Sequence, residues 1–384
     1  MSVIKATESR VLFALISKAL NPNVSIDNEL FSSNISWSDI CCLAARQGVL
    51  AIAWDGLTAL HSEGVITADR MPERAIKLQW ALNVEKVEQR YKRQEKLSTE
   101  LSDAFAKYDI ATFVLKGLAI SPYYPTPSHR ECGDLDCFLA ATRNGVLLRN
   151  SRRLPVVRYD EGNIIAAQIG AKVDVGFYKH SHINYRGLMV ENHQFCTAIR
   201  GSKQRKELER YLEGLILEKE LVGLADSSMY TPSPLFNALF LTYHSFSHFL
   251  IEGIRLRHIL DWALLLRSEQ HNIDWTEFYL WCDYMHYTKF TEALTSIAEQ
   301  YLGFDFSCKA IRRSSKYDQR ILEDILYDSK SIYNTKGSKL KKRLLIVRGK
   351  LLGNWKYREL YNRSALADTL RTIVAFFIEP KPKI

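Results

Sequence analysis

Asp134 and Asp136 stand two residues apart at the head of an apolar run, Leu135-Asp136-Cys137-Phe138-Leu139. A second apolar run, Ala111-Thr112-Phe113-Val114-Leu115, stops at Lys116-Gly117, its glycine seventeen residues ahead of Asp134. Both runs are short, partly β-branched and bounded by turn residues, which is the pattern of buried strands. Strand side chains alternate between faces, so the two aspartates project to one side and can hold one divalent ion, while Leu135 and Cys137 point into a core. An Asp-x-Asp pair alone is unspecific. Flanked by two apolar strands and a Lys-Gly turn, it is what metal-assisted phosphoryl or nucleotidyl transfer needs.

Downstream, Asp160 to Gly170 reads as a helix, and Lys172 to Tyr178 as the start of a return strand. Ser181 to Tyr185 and Leu188 to Phe195, separated by Arg186-Gly187, follow hairpin grammar. Leu115-Lys116-Gly117, Tyr124-Pro125, Arg130 and Gly133-Asp134-Leu135-Asp136 together resemble the signature of the uncharacterised bacterial nucleotidyltransferase family within the polymerase-β-like superfamily. The superfamily's usual Gly-Ser or Gly-Gly turn is Lys116-Gly117 here, and the gap to the aspartates is longer than in its commonest members. The resemblance implies a third carboxylate from a later strand, for which the chain offers Glu191 and Asp174. Val190-Glu191-Asn192-His193 resembles the apolar-acid-x-His segment that carries it, so Glu191 is the expected third acid and Asp174 the runner-up.

Three carboxylates brought together repel one another unless a hard cation, Mg²⁺ or Mn²⁺, sits among them. Asp134 and Asp136 would hold the metal, with Glu191 completing its shell or acting as base toward an acceptor hydroxyl. Lys116, Gly117 and Arg130 are the expected nucleotide-binding residues, the two cations being natural partners for the phosphates. His180 and His182 precede the hairpin turn and His193 follows it, so all three can gather beside the acids. His244 and His248 lie four apart on one helical face. A zinc-protease motif is excluded there, because its glutamate position is Ser245; a non-catalytic zinc pair competes with ordinary hydrogen-bonded histidines. The run Arg257-His258-Ile259-Leu260-Asp261-Trp262 resembles the family's second signature, a His-rich helix followed by Arg and Asp on the next.

At 384 residues, 47% hydrophobic and 25% charged, the chain has the composition of a folded globular protein of two or three domains. Its seven cysteines contain no Cys-x-x-Cys pair, which points to reduced thiols and a cytoplasmic location. No apolar run reaches about 18 residues and Met1 to Arg10 lack a signal-peptide core, so neither export nor membrane spanning is expected.

Apolar spacings of three and four predict helices over Glu8 to Leu20, Ser36 to Leu60, Glu73 to Tyr108, Lys203 to Leu224 and repeatedly from Leu235 to Ala310, with Thr231-Pro232-Ser233-Pro234 as a boundary. The expected organisation is an N-terminal helical region (1–108), a core (109–200) and a C-terminal helical domain with a basic tail (201–384). Its class is α+β, predominantly helical, built on a small mixed sheet with mostly antiparallel pairing after the first two strands. The net charge of +9 is concentrated between Lys339 and Arg358, where eight basic residues occur without an acid. That stretch fits nucleic acid or an anionic membrane surface. The reading preferred over it is a terminal helix with its apolar face on the body and its cations in water.

The function expected from these features is metal-dependent transfer of a nucleoside monophosphate from an NTP to a hydroxyl on a sugar, small metabolite, protein or RNA end. Two other classes compete: a catalytically degenerate scaffold using the basic tail, and a sugar-nucleotide glycosyltransferase, whose metal site also uses Asp-x-Asp. The glycosyltransferase would need alternating strands and helices ahead of the motif.

Overall fold

The computed structural model describes residues 7–31, 35–216, 222–224, 227–328 and 339–379. Four helices come first: α1 (Thr7–Leu20), α2 (Trp37–Gln47), α3 (Leu50–Ser62) and the long α4 (Arg74–Ala106). The Ser36 hydroxyl caps α2 by accepting from the Asp39 backbone N–H. The helix expected to run from Ser36 to Leu60 is split, because the chain turns at Gly48-Val49 between α2 and α3. Among the described residues no strand precedes Ile110. The glycosyltransferase's requirement for strands ahead of Asp-x-Asp is therefore unmet.

The sheet is built from β1 (Ile110–Val114), β2 (Leu135–Arg143), β3 (Val146–Leu147), β4 (Lys172–Asp174), β5 (His180–Tyr185), β6 (Leu188–His193), β7 (Val222–Gly223) and β8 (Met229–Thr231). Its strand order is β4-β5-β6-β2-β1-β8-β7, with β3 pairing the far end of β2. β1 and β2 are antiparallel, as are β4 with β5, β5 with β6, and β7 with β8. Two pairings are parallel: β1 with β8, and β2 with β6. The second of these carries the site, because its register sets Asp136 beside Glu191 and Phe138 beside His193. The crossover between β2 and β6 contains α5 (Tyr159–Gln168), the helix expected over Asp160 to Gly170. The β5–β6 hairpin turns at Arg186-Gly187, both with positive φ (51° and 87°), the two-residue geometry that matches strand twist and that glycine adopts without strain.

Alternation decides which side chains meet which helices. Ile110, Val114, Leu135, Cys137 and Leu139 pack with Leu97, Leu101 and Phe105 of α4. Ala111, Phe113, Leu115, Phe138 and Ala140 join the larger core on the opposite face. That core is formed with the later helices, α7 (Pro234–Ile251), α8 (Leu256–Glu269), α9 (Trp275–Tyr284) and α10 (Thr288–Leu302). Asp136 lies between Leu135 and Cys137 and so faces this helical side. α11 (Asp318–Glu323), α12 (Lys339–Leu352) and α13 (Ala365–Ile378) complete the chain. No helix among the described residues is long and apolar enough to cross a membrane.

Two expectations are corrected. The helix expected over Lys203 to Leu224 is α6 (Lys203–Ile216); 217–221 lie outside the described residues, and Val222-Gly223 is strand, completing a short hairpin that extends the sheet beyond β1. The basic stretch also sits differently. Lys350 and Lys356 are buried and paired with Asp368 (3.1 Å) and Asp324 (2.7 Å), while Leu351 and Leu352 are 51% and 75% exposed. Buried carboxylates need counter-ions, and these two lysines turn inward to supply them.

Two acids one turn apart on α6, Glu209 and Glu213, are buried. Glu209 accepts from the Cys196 and Thr197 backbone N–H groups at 2.6 Å and from the Thr197 hydroxyl at 2.7 Å. Burial, and then the neighbouring Glu209 carboxylate, push the Glu213 carboxyl up to about 8. Between the unfolded carboxyl's range and about pH 8 the folded chain binds a proton that the unfolded chain has released, so stability falls as pH rises through this window. Glu213→Gln removes that dependence. Its stabilising effect should be small near pH 4 and grow to on the order of 3 kcal/mol at pH 8. Melting curves of the two proteins that stay parallel across this range would refute it.

Candidate active site

The ladder between β1 and β2 extends one residue beyond β1, with the Leu115 N–H donating to the Asp136 carbonyl at 3.0 Å. This delivers Lys116 directly to the Asp136 side chain. Gly117 follows with φ +67°, the left-handed geometry that turns the chain away from the strand end. The Lys116 ammonium lies 3.0 Å from Asp136 Oδ2 and 4.0 Å from Asp134 Oδ1. Asp136 is fully buried, whereas the Asp134 side chain is 38% exposed. Asp134, Asp136 and Glu191 each offer a carboxylate oxygen, and the three oxygens lie within 4.8 Å of one another. Among the described residues Asp136 Oδ2 has no hydrogen-bond partner beyond the Lys116 ion pair. This set of hard oxygen donors fits a divalent cation such as Mg²⁺ or Mn²⁺.

The hairpin histidines surround Glu191. His193 Nε2 is 3.1 Å from Asp136 Oδ1 and 3.5 Å from Glu191 Oε2. His180 Nδ1 is 3.4 Å from Glu191 Oε2, and His182 Nε2 is 3.8 Å from Glu191 Oε1. Burial opposes ionisation of Asp136, but the Lys116 ammonium and then His193 outweigh it and hold the carboxyl below its ordinary range. Glu191 behaves likewise: burial raises it, His193 and His180 more than compensate, and its pKa falls to about 2. Burial also lowers the Lys116 ammonium, yet Asp136, Asp134 and Glu191 together lift it above its usual value. Asp136, Glu191 and Lys116 are all charged at neutral pH.

Asp174 is not brought to this group. It is exposed at the end of β4, opposite His182, and its Oδ1 accepts from the Gly176 N–H at 2.9 Å. Arg130 is also committed elsewhere. Its Nε and Nη2 donate to the two oxygens of Asp261 at 2.8 Å each, and its Nη1 lies 3.2 Å from Cys132 Sγ. The Tyr124 hydroxyl donates to the same carboxylate at 2.7 Å. Arg257 donates to the Glu131 carbonyl. The two stretches that resemble family signatures therefore meet: Arg257 and Asp261 on α8 clamp the loop running from Lys116 to Asp134.

His244 faces the site from α7, its Nε2 accepting from the Lys116 ammonium at 3.4 Å. Burial, and then the nearby Lys116 charge, hold its imidazole well below the usual value. The His248 ring lies tilted against that of His244, with centroids 4.3 Å apart, and bonds to Glu252. Neither imidazole joins a group of metal-ligating atoms among the described residues. Lys179, one residue ahead of β5, escaped the sequence reading. Burial pulls its ammonium down against the attraction of Glu191 and Asp136, and no local periodicity marks a lysine at a strand entrance as part of a site.

Residues 33–303, well over half of the chain, match the family described as uncharacterised nucleotidyltransferase. The chain belongs to that family. Comparison with curated proteins and with solved structures gives no match. The matched span of this nucleotidyltransferase includes the sheet, the three acids, Lys116 and both halves of the Arg130–Asp261 clamp, and ends with α10. α11, α12 and α13 lie beyond it.

Proposed function

We propose that the protein moves a nucleoside monophosphate from an NTP to a hydroxyl of a small acceptor, using a divalent cation held by Asp134, Asp136 and Glu191. The observation carrying this reading is the convergence of those three carboxylates, one fully buried, beside a lysine at a strand end. When bound, Mg²⁺ or Mn²⁺ would orient the triphosphate and stabilise charge developing around the α-phosphorus. The acceptor oxygen bonds to that phosphorus as the bridge to the β-phosphate breaks, and pyrophosphate departs. Lys116 neutralises the buried acids before substrate arrives and supplies the cation nearest the phosphates. Glu191, with its pKa near 2, is a weak proton acceptor and serves as a ligand. Asp134, the most exposed of the three, presents the cation to the incoming substrate.

A cavity of about 290 Å³ lies where Phe177 and Tyr178 meet Tyr243 and Phe246 of α7 and Tyr357 and Tyr361 from the C-terminal segment. The Phe177 ring is 5.0 Å from that of His180, which itself reaches Glu191. We assign the acceptor to this cavity, whose size and aromatic lining support a sugar or other small metabolite over a macromolecular end.

The test is incubation of the purified protein with each of four α-labelled nucleoside triphosphates, Mg²⁺ or Mn²⁺, and a small-molecule fraction of cell extract. Label should pass to one component with release of pyrophosphate. Absence of transfer in every fraction, together with no binding of any triphosphate, would overturn the reading.

A further inference from the structure

We propose that His180, Glu191 and His193 form a second cation site, rich in nitrogen, that takes a transition-metal ion of the Mn²⁺, Co²⁺ or Zn²⁺ class and shares Glu191 with the oxygen site beside it. The argument begins with spacing. Glu191 Oε2 lies 3.4 Å from His180 Nδ1 and 3.5 Å from His193 Nε2. These separations are long for hydrogen bonds to a carboxylate. Ligand atoms about 2.1 Å from one tetrahedral cation stand about 3.4 Å apart. The three donor atoms all fall within 4.8 Å of one another.

The second observation is a buried imidazole nitrogen without a hydrogen-bond partner. His180 is only 9% exposed, and its Nδ1 has no hydrogen-bond partner among the described residues. Its ring faces that of His193, with centroids 5.1 Å apart. His193 Nδ1 lies 3.0 Å from the Phe195 carbonyl, which can only accept, so Nδ1 carries the proton. That hydrogen bond turns Nε2 toward Glu191 and Asp136, where a bound cation would take the place of the Nε2 proton. A backbone carbonyl behind one imidazole nitrogen is the usual way a metal-binding histidine is oriented. Two imidazole nitrogens select against Mg²⁺, which prefers oxygen, and for borderline transition ions. The hairpin builds the site by itself: His180 and His193 are directly paired across β5 and β6, and Glu191 precedes His193 by two residues on the same face.

Co²⁺ is the probe, titrated into the full chain without nucleotide and followed by visible absorption. The wild type should give the intense bands of a nitrogen-containing, low-coordinate site. His180→Ala should lose them and bind Co²⁺ on the order of 100-fold more weakly, since even indirect metal partners are worth 10–100-fold. Weak all-oxygen spectra in the wild type, or equal Co²⁺ affinity in both proteins, would overturn the proposal. Should His180→Ala fail to fold, the wild type decides the matter through ¹⁵N spectra of its imidazoles. Zn²⁺ should shift His180 Nδ1 and His193 Nε2, and unshifted signals would reject the site. These readouts need no substrate, so they stand or fall separately from nucleotidyl transfer.

Discussion

Asp136→Asn is expected to lower nucleotidyl transfer by on the order of 10³-fold or more, about 4 kcal/mol in the barrier, while leaving a folded protein. Asparagine keeps the shape of the side chain but removes the buried charge that faces Lys116 at 3.0 Å and His193 at 3.1 Å. The proposed cation site would lose its most enclosed ligand, and the Lys116 ammonium would keep only Asp134 and Glu191 as counter-charges. Rate measurements with the α-labelled triphosphate identified above, alongside thermal unfolding, separate lost chemistry from lost structure. Asp174→Asn provides the contrast, because that side chain is exposed and bonds to its own turn at Gly176. Its rate should stay within about twofold of wild type, as surface changes away from such features cost little. A folded Asp136→Asn protein with near-normal turnover would remove the carboxylate cage from the mechanism.

The second large effect is structural. Asp261→Ala should destabilise the fold by about 3–5 kcal/mol, because it leaves the Arg130 guanidinium buried without its partner. Arg130 and Asp261 are 4% and 5% exposed, and the Tyr124 hydroxyl would lose its acceptor as well. Asp261 is held ionised: burial opposes this, but Arg130 outweighs it. Replacing both partners by apolar residues, Arg130→Met with Asp261→Leu, should recover much of the loss. Urea unfolding of the single and double variants measures the difference. Asp261→Ala stability within about 0.5 kcal/mol of wild type would show that the clamp is dispensable. The clamp anchors the loop whose two ends are Lys116 and Asp134, so the destabilised variant should lose activity along with stability.

Much of this architecture is legible in local pattern. The runs 111–115 and 135–139 form strands and Arg186-Gly187 turns the hairpin; Asp134 stands one residue ahead of β2, and its carboxylate still meets that of Asp136. Glu191 and His193 share a face because successive strand residues point opposite ways. β7 and β8 are too short, at two and three residues, to leave a periodic signal: Val222-Gly223 falls within a span whose spacing predicts helix, and β8 shares only Thr231 with the predicted boundary. Arg130 looked like a phosphate ligand because nothing near it in the chain announces Asp261, 131 residues away. Lys350 and Lys356 looked solvent-facing because a cationic run does not declare which of its members will meet a buried carboxylate.

The sequence by itself determined the kinds of element, the acids and their shared faces, and the resemblance that led to the family. These depend on neighbours one to four residues apart, where backbone geometry is the same in every protein. Only the tertiary structure decided that β6 lies parallel to β2 with Glu191 opposite Asp136, that His180 reaches Glu191, and that Arg130 pairs with Asp261 of α8. Those choices come from burying both faces of the sheet at once. A one-residue slip of β6 would turn Val190 out of the core and Glu191 into it, so the register is set by the packing of the whole domain.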